Sequence, residues 1–88
     1  MKRGRLEIIR DILGIIEKNH GEINITPLLR KTNISSKNFY EYLREIKEKG
    51  FIEEIKRNDK KKIKLKDKGR KYLEKYQTIV NFINEFEL

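Results

Sequence analysis

Apolar positions recur along the chain with several different spacings, and each spacing predicts one element of secondary structure. In residues 5–19 they form a wide helical stripe, which indicates a helix covered by more than one neighbour. Residues 22–25 alternate polar and β-branched side chains, which predicts a short strand. Thr26 followed by Pro27 is typical of an N-cap and a first helical position, so a short second helix is predicted at residues 27–31.

The next stretch predicts a third, amphipathic helix at residues 36–49. Ser35 is a suitable N-cap, and Gly50 stands where a helix end favours a residue with positive φ. The buried face is marked by three apolar residues at intervals of four and three, Phe39, Leu43 and Ile46. Because only a short turn at residues 32–34 precedes the cap, the second and third helices together predict a helix-turn-helix.

Two short β runs follow at residues 51–55 and 63–65, and a lysine-rich turn with Asn58 and Asp59 lies between them. This order predicts a hairpin with a basic tip. From Asp67 onwards no proline interrupts the chain, and apolar residues keep a heptad spacing. The result is a predicted last helix of about 20 residues, roughly 30 Å long, which exceeds what one small domain is expected to cover.

The last helix either folds back on its own core or pairs with a second copy through its distal half, and we favour pairing. Its early part is rich in lysine and arginine, whereas Glu85 and Glu87 lie near its end. An antiparallel pair would therefore place opposite charges side by side. The expected dimer interface consists of Tyr72, Tyr76, Ile79, Val80, Ile83 and Phe86.

Composition limits the chain to one small core, since it has 88 residues of which 36% are hydrophobic. The predicted fold class is mainly α with a small β-hairpin (α+β). Residues 1–66 are expected to form the domain, and residues 67–88 a helix continuous with it. The formal net charge of +8 favours a polyanionic partner, although 41% charged residues of both signs are also typical of thermophilic surfaces.

Several classes of function are not supported by the residues present. There is no cysteine, which excludes disulfides and thiolate metal sites, and His20 is the only histidine. No Gly-rich phosphate loop is found, and no apolar run approaches the roughly 20 residues of a membrane span. We therefore expect a cytoplasmic protein that is not an enzyme, is not in a membrane and has no cofactor, metal or small-molecule ligand.

The outward face of the third helix carries polar side chains suited to the major groove of DNA. The residues expected to meet bases or nearby phosphates there are Ser36, Lys37, Asn38, Tyr40 and Arg44. Two alternatives concern this face. Tyr40 could instead pack on the hairpin, and Glu41 could read a cytosine amino group or, as we expect, form an ion pair with Lys37 or Arg44.

The hairpin tip supplies the second group of candidate contacts. Its positive charge would neutralise phosphates without regard to sequence. The residues expected to act there are Arg57, Asn58, Lys60, Lys61 and Lys62. Arg5 and Arg30 are weaker candidates for the same role.

The predicted order of helix, strand, helix, turn, helix, hairpin and long helix is that of a winged helix-turn-helix. The chain resembles the small archaeal winged-helix DNA-binding proteins that dimerise through a C-terminal antiparallel coiled coil. The resemblance rests on LEIIRDIL at 6–13, NISSKNFYEYLREIKEKGFI at 33–52 and LKDKGRKYLEKY at 65–76. One departure is Lys66, where many winged-helix proteins have a threonine cap, so Asp67 is the alternative cap.

This resemblance implies a homodimer that binds double-stranded DNA. It places residues 36–44 in the major groove and residues 57–62 against the adjacent backbone or minor groove. We expect the protein to be nucleoid-associated in the cytoplasm. Transcription regulation and a chromatin-like role are both compatible with it. A protein-interaction module on the same scaffold, without DNA binding, is the alternative, because a fold does not determine a function.

Overall fold

The structure is a computed structural model that describes residues 3–88, so residues 1 and 2 of the predicted first domain lie outside the described part. Within residues 3–88, four helices and three strands form one small domain with a projecting last helix. In chain order they are α1 (Arg5–Lys18), β1 (Glu22–Asn24), α2 (Ile25–Thr32), α3 (Ser36–Glu48), β2 (Ile52–Arg57), β3 (Lys60–Leu65) and α4 (Asp67–Glu85).

Helix α1 is the centre of the core, as its wide apolar stripe predicts. Ile12, Leu13 and Ile16 are fully buried, and α1 contacts α2, α4 and the strands β1 and β3. The chain leaves α1 through His20 and Gly21, which both have positive φ. The Gly21 N–H donates a hydrogen bond to the Ile16 carbonyl at 2.9 Å, so two left-handed residues, rather than the glycine alone, end the helix.

Helix α2 begins earlier than predicted. Its N-cap is Asn24 and not Thr26, and Pro27 is the third helical residue instead of the first. The first four N–H groups of a helix have no partner within the helix, so a proline without an N–H is tolerated throughout this turn. Leu28 is completely buried against the core, and Asn33 with φ of 57° ends the helix.

The three strands form one antiparallel sheet in the order β1-β3-β2. The hairpin is confirmed, because β2 and β3 pair around Asn58 and Asp59, which both have positive φ as a two-residue turn of this kind requires. Strand β1 adds to the other edge of β3, with Ile23 opposite Ile63. Both of these isoleucines are buried, so one face of the sheet closes the core.

Helix α4 is confirmed as a long helix, but its start differs from the expectation at the cap. Lys66 is the N-cap residue and makes no side-chain cap hydrogen bond, while Asp67 is the first helical residue and lies 3.4 Å from the Arg70 guanidinium. The first turns of α4 pack on the domain. Gly69 is buried there, and a Cβ at this position would lie 2.5 Å from the Phe51 carbonyl oxygen.

The later part of α4 runs beyond the domain. The molecule measures 49 × 27 × 21 Å, and every residue from 81 to 88 is exposed. No helix in residues 3–88 is both long and apolar enough to cross a membrane.

We expect Gly69→Ala to destabilise the fold by about 1–3 kcal/mol, because the added methyl would overlap the Phe51 carbonyl and the Leu65 side chain. Gly14→Ala is the matched control, since a Cβ there meets nothing within 4 Å and alanine is the better helix former by about 1 kcal/mol. Urea unfolding of both variants measures the difference. Equal stability of the two variants would contradict the close contact at Gly69.

Candidate nucleic-acid interface

Helix α3 is held in place by its cap and its buried face. The Ser35 hydroxyl oxygen accepts a hydrogen bond from the Asn38 N–H at 3.2 Å, which confirms the predicted cap. Phe39 and Ile46 are fully buried and Leu43 nearly so, which anchors one side of the helix in the core. The opposite side must therefore face solvent.

The exposed face of α3 carries most of the predicted residues. Ser36, Lys37, Tyr40 and Arg44 are all exposed, and of these four Lys37 and Arg44 lie furthest from the buried side. Tyr40 is 51% exposed, and its ring meets that of Phe39 edge-on with centroids 5.2 Å apart. The tyrosine ring thus packs against a neighbour on its own helix, while about half of the residue stays exposed.

Asn38 lies on the flank of α3 that faces α1. With Glu41, Glu45 and Tyr42 it lines a cleft whose other wall includes Arg5. The Arg5 guanidinium forms an ion pair with the Glu45 carboxylate, so this candidate phosphate contact already has an acidic partner. Asn38 is exposed but stands at the edge of the outward face rather than at its centre.

The expected ion pair of Glu41 does not form. Among residues 3–88, the Glu41 carboxylate has neither Lys37 nor Arg44 within 4.0 Å, so that prediction is wrong. An exposed pair of long side chains gains little over the entropy lost in holding it. Lys37 and Arg44 therefore keep their charge available at the surface.

The strand register divides the basic residues of the hairpin between two faces. Lys56 lies directly opposite Lys61, on the face that also carries the buried Ile63 and Leu65. The same face reaches α3, because Glu54 lies 3.6 Å from the Lys47 ammonium. Two like charges therefore stand side by side on the α3 side of the hairpin tip.

Arg57, Lys60 and Lys62 lie on the other face of the hairpin. The Arg57 guanidinium is 2.9 Å from the Glu22 carboxylate of β1, and Lys62 is partly buried between its strand neighbours. Lys60 is exposed, and Asn58 forms the turn itself. The five predicted hairpin residues are thus close in sequence but do not share one surface.

Lys56 is the candidate that the sequence reasoning missed. It precedes the run of three lysines by four positions and lies just after the predicted β run at residues 51–55, outside the candidate residues of the hairpin tip. The signal was present, since counting strand alternation back from the Asn58–Asp59 turn places Lys56 and Lys61 on one face. Within residues 3–88, Lys56, Lys61 and the outward Lys37 and Arg44 make no ion pair, so no neighbouring carboxylate neutralises their charge.

The remaining predicted residues lie away from this surface. Arg30 is exposed in the last turn of α2. On α4, the Tyr72 hydroxyl donates a hydrogen bond to the Leu6 carbonyl at 2.8 Å. Burial is the main cause that raises the pKa of this hydroxyl above its usual range, and the nearby Tyr76 raises it further. Ile79, Ile83 and Phe86 are exposed, and Tyr76 and Val80 are partly buried.

Among the described residues, no group of three His, Cys, Asp or Glu side chains could hold a metal ion.

Comparison with known proteins places this geometry in context. The model of the winged helix-turn-helix family matches residues 2–84. No curated protein matches the chain.

Two solved structures share the fold. Sso10a-2, a DNA-binding protein from Sulfolobus solfataricus, superposes with a TM-score of 0.78 at 21% identity, covering 97% of this chain and 86% of its own. F93 from STIV, a winged-helix DNA-binding protein, superposes with a TM-score of 0.76 at 20% identity, covering 90% of this chain and 91% of its own. At such identities the likeness concerns the fold alone.

We expect Lys56→Glu to stabilise the protein by about 0.2–1 kcal/mol, because it replaces a like-charge pair across the hairpin with an opposite-charge pair. Lys56→Gln is the control, since it removes the repulsion without adding an attraction. Urea unfolding at low and high salt measures the effect, which should shrink as salt screens it. A Glu variant no more stable than the Gln variant at low salt would refute the pairing of Lys56 with Lys61.

Proposed function

The chain belongs to the winged helix-turn-helix family, and on this premise we propose that it binds double-stranded DNA with α3 in the major groove. The observation that carries the proposal is the exposed face of α3, where Lys37 and Arg44 have no ion pair among residues 3–88, on a helix that the basic hairpin contacts through Glu54 and Lys47. The structures with the same fold, Sso10a-2 and F93, are DNA-binding proteins, which supports the same class of partner here. Its role is binding and not catalysis.

The start of α3 is suited to the DNA backbone. Its first turn contains no acidic residue, and Lys37 adds a positive charge to the positive end of the helix dipole. Ser36 and Lys37 would contact phosphate or the groove edge there. Further along, Arg44 can pair with both acceptors of a guanine, Tyr40 offers a hydroxyl, and Asn38 reaches the groove from the α1 side.

The hairpin supplies sequence-independent affinity in the proposed complex. Arg57, Asn58, Lys60, Lys61 and Lys62 would lie against the backbone or the adjacent minor groove. Lys56 joins this set because it stands beside Lys61 on the α3 side. Arg5 and Arg30 are placed to add weaker phosphate contacts, and Arg5 would first have to leave Glu45.

We also propose that the protein acts as a homodimer through α4, as a nucleoid-associated protein in transcription regulation or chromatin organisation. The support is the exposed apolar surface of the distal helix. Ile79, Phe82, Ile83 and Phe86 are each at least 40% exposed, which is unusual for large apolar residues gathered on one helix. Tyr72, Tyr76 and Val80 continue this surface towards the domain, so the proposed interface keeps all six residues expected from the sequence.

Replacing the three tip lysines in the variant Lys60→Ala/Lys61→Ala/Lys62→Ala should weaken binding to every duplex. Each lost phosphate contact should reduce the slope of log K against log salt by about 0.9. Lys18→Ala/Lys64→Ala/Lys66→Ala is the control, because it removes the same charge from exposed positions away from the hairpin tip. Fluorescence anisotropy over a salt series gives both slopes. Unchanged affinity in the tip variant would remove the hairpin from the interface.

Arg44→Ala should change the preference among sequences rather than the general affinity. Loss of a bidentate guanine contact costs about 1–3 kcal/mol on the preferred duplex and little on others. Selection from random duplexes with the wild type and the variant reveals the affected base, and Glu48→Ala serves as the control on an exposed position of the same helix. Identical selected sequences would show that Arg44 does not read bases.

A further inference from the structure

We propose that the aromatic end of α4 from one protomer docks into an apolar groove on the DNA-binding domain of a second copy. The inference rests on the proposed homodimer and adds a second contact to it. Each α4 would join not only the partner's α4 but also the partner's α1 and the Phe51 region. The two domains of the dimer would then be fixed relative to each other.

The groove lies where α4 leaves the domain. It encloses about 290 Å³ and is lined mainly by the apolar or aromatic side chains Leu6, Phe51, Tyr72, Tyr76 and Ile79. Its rim carries three lysines, at positions 68, 71 and 75. Leu6 is 56% exposed even though it sits in the first turn of the central helix. An apolar groove with a basic rim is suited to an apolar segment that carries acidic residues.

The end of α4 has this chemistry. Phe82 and Phe86 are 54% and 58% exposed, and their rings are in contact with centroids 4.9 Å apart. Glu85 and Glu87 flank Phe86, which makes the terminus acidic. Leu88 is 79% exposed beside them. The chain therefore contains both a groove and a segment that complements it in polarity and charge.

The two features cannot meet within one molecule. Tyr72 lies in the groove, and Phe86 follows it by 14 residues along a continuous helix, or about 21 Å at 1.5 Å per residue. A second copy of the chain can bring the two features together. In an antiparallel pair with its two-fold axis near Ile79, Phe86 of each chain lies beside Tyr72 of the other, because both are seven residues from the axis.

Charge selects this orientation over a parallel one. The same register sets Glu85, the last residue of the helix, level with the partner's Leu73 and so between the partner's Lys71 and Lys75, since Glu85 and Leu73 each lie six residues from Ile79. A parallel pair would instead set each acidic terminus against its own copy and leave both grooves empty. The exposed apolar face is also continuous from Tyr72 through Ile79 to Phe86, so helix pairing and groove docking use one uninterrupted surface.

Thiol cross-linking tests the proposal directly, because the chain has no cysteine of its own. Leu6→Cys chains are mixed with Phe86→Cys chains and treated with a short thiol-to-thiol cross-linker. We expect a covalent dimer from this mixture. We expect none from Phe86→Cys alone, because the two copies of that residue would lie about 21 Å apart along the pair. Mixing Glu17→Cys with Phe86→Cys is the matched control, since Glu17 is an exposed α1 residue outside the groove.

A second measurement does not depend on cross-linking. Leu6→Ser should raise the dimer dissociation constant about tenfold or more, because a leucine no longer becomes buried on association. Ile83→Glu should abolish the dimer, and Glu17→Ser should leave it unchanged. Sedimentation equilibrium gives these constants, and the thermal unfolding of each variant confirms that it is folded.

The outcomes separate the inference from the proposed function. A dimer that Ile83→Glu disrupts, but that neither links through Leu6 nor weakens in Leu6→Ser, overturns the groove and leaves the α4 dimer standing. Efficient linking of Phe86→Cys to itself, or equal linking to Glu17→Cys, also overturns the groove. A wild-type chain that is monomeric yet binds duplex DNA overturns both the groove and the dimer, while DNA binding by α3 stands.

Discussion

The peptide groups of Phe51 tie together the parts of the molecule on which the proposed function depends. Its N–H donates a hydrogen bond to the Ile46 carbonyl at 2.9 Å, in the last turn of α3. Its carbonyl oxygen accepts the Lys66 N–H at 3.0 Å, where α4 begins, and Gly69 packs against the same carbonyl. Leaving a buried backbone group without its partner costs about 1–3 kcal/mol. Phe51 therefore links the end of α3, the start of the hairpin and the start of α4.

Acidic residues decide which positive charges remain available on the surface. Glu45 holds Arg5 at the α1 side of α3, and Glu22 holds Arg57 on the far face of the hairpin. Exposed pairs of this kind contribute little stability. Their effect is to neutralise Arg5 and Arg57, whereas within residues 3–88 Lys37 and Arg44 on the outward face of α3 have no such partner. The candidate reading helix therefore keeps these two positive charges on its exposed face.

Features set by a few neighbouring residues could be predicted from the sequence. The Ser35 cap, the extent of α1 and the two-residue hairpin turn all depend on local chemistry, and the structure confirms them. The start of α2 was missed because a proline fits anywhere in a first helical turn, so Pro27 alone does not fix the boundary. Local rules predict such elements well but leave their ends open by a residue or two.

Features that depend on distant residues could not be predicted in the same way. The pairs of Arg5 with Glu45 and of Arg57 with Glu22 join residues 40 and 35 positions apart, and no short pattern indicates them. Gly69 fits the heptad spacing, yet it packs against the Phe51 carbonyl of its own chain and not against a second helix. The heptad pattern therefore covers two different surfaces. At the start of α4 its residues pack on the domain of the same chain, and at the end of α4 they are exposed.

The direction of α4 at Gly69, where it contacts the domain, determines the position of its far end. Phe86 lies 17 residues beyond this glycine, or about 25 Å at 1.5 Å per residue. A tilt of α4 by about 5° at Gly69 would move Phe86 by about 2 Å, enough to separate side chains that touch at about 4 Å. The absence of a side chain at Gly69 lets α4 seat directly on the Phe51 carbonyl. The position of Phe86 therefore depends on the close contact between Gly69 and the Phe51 carbonyl.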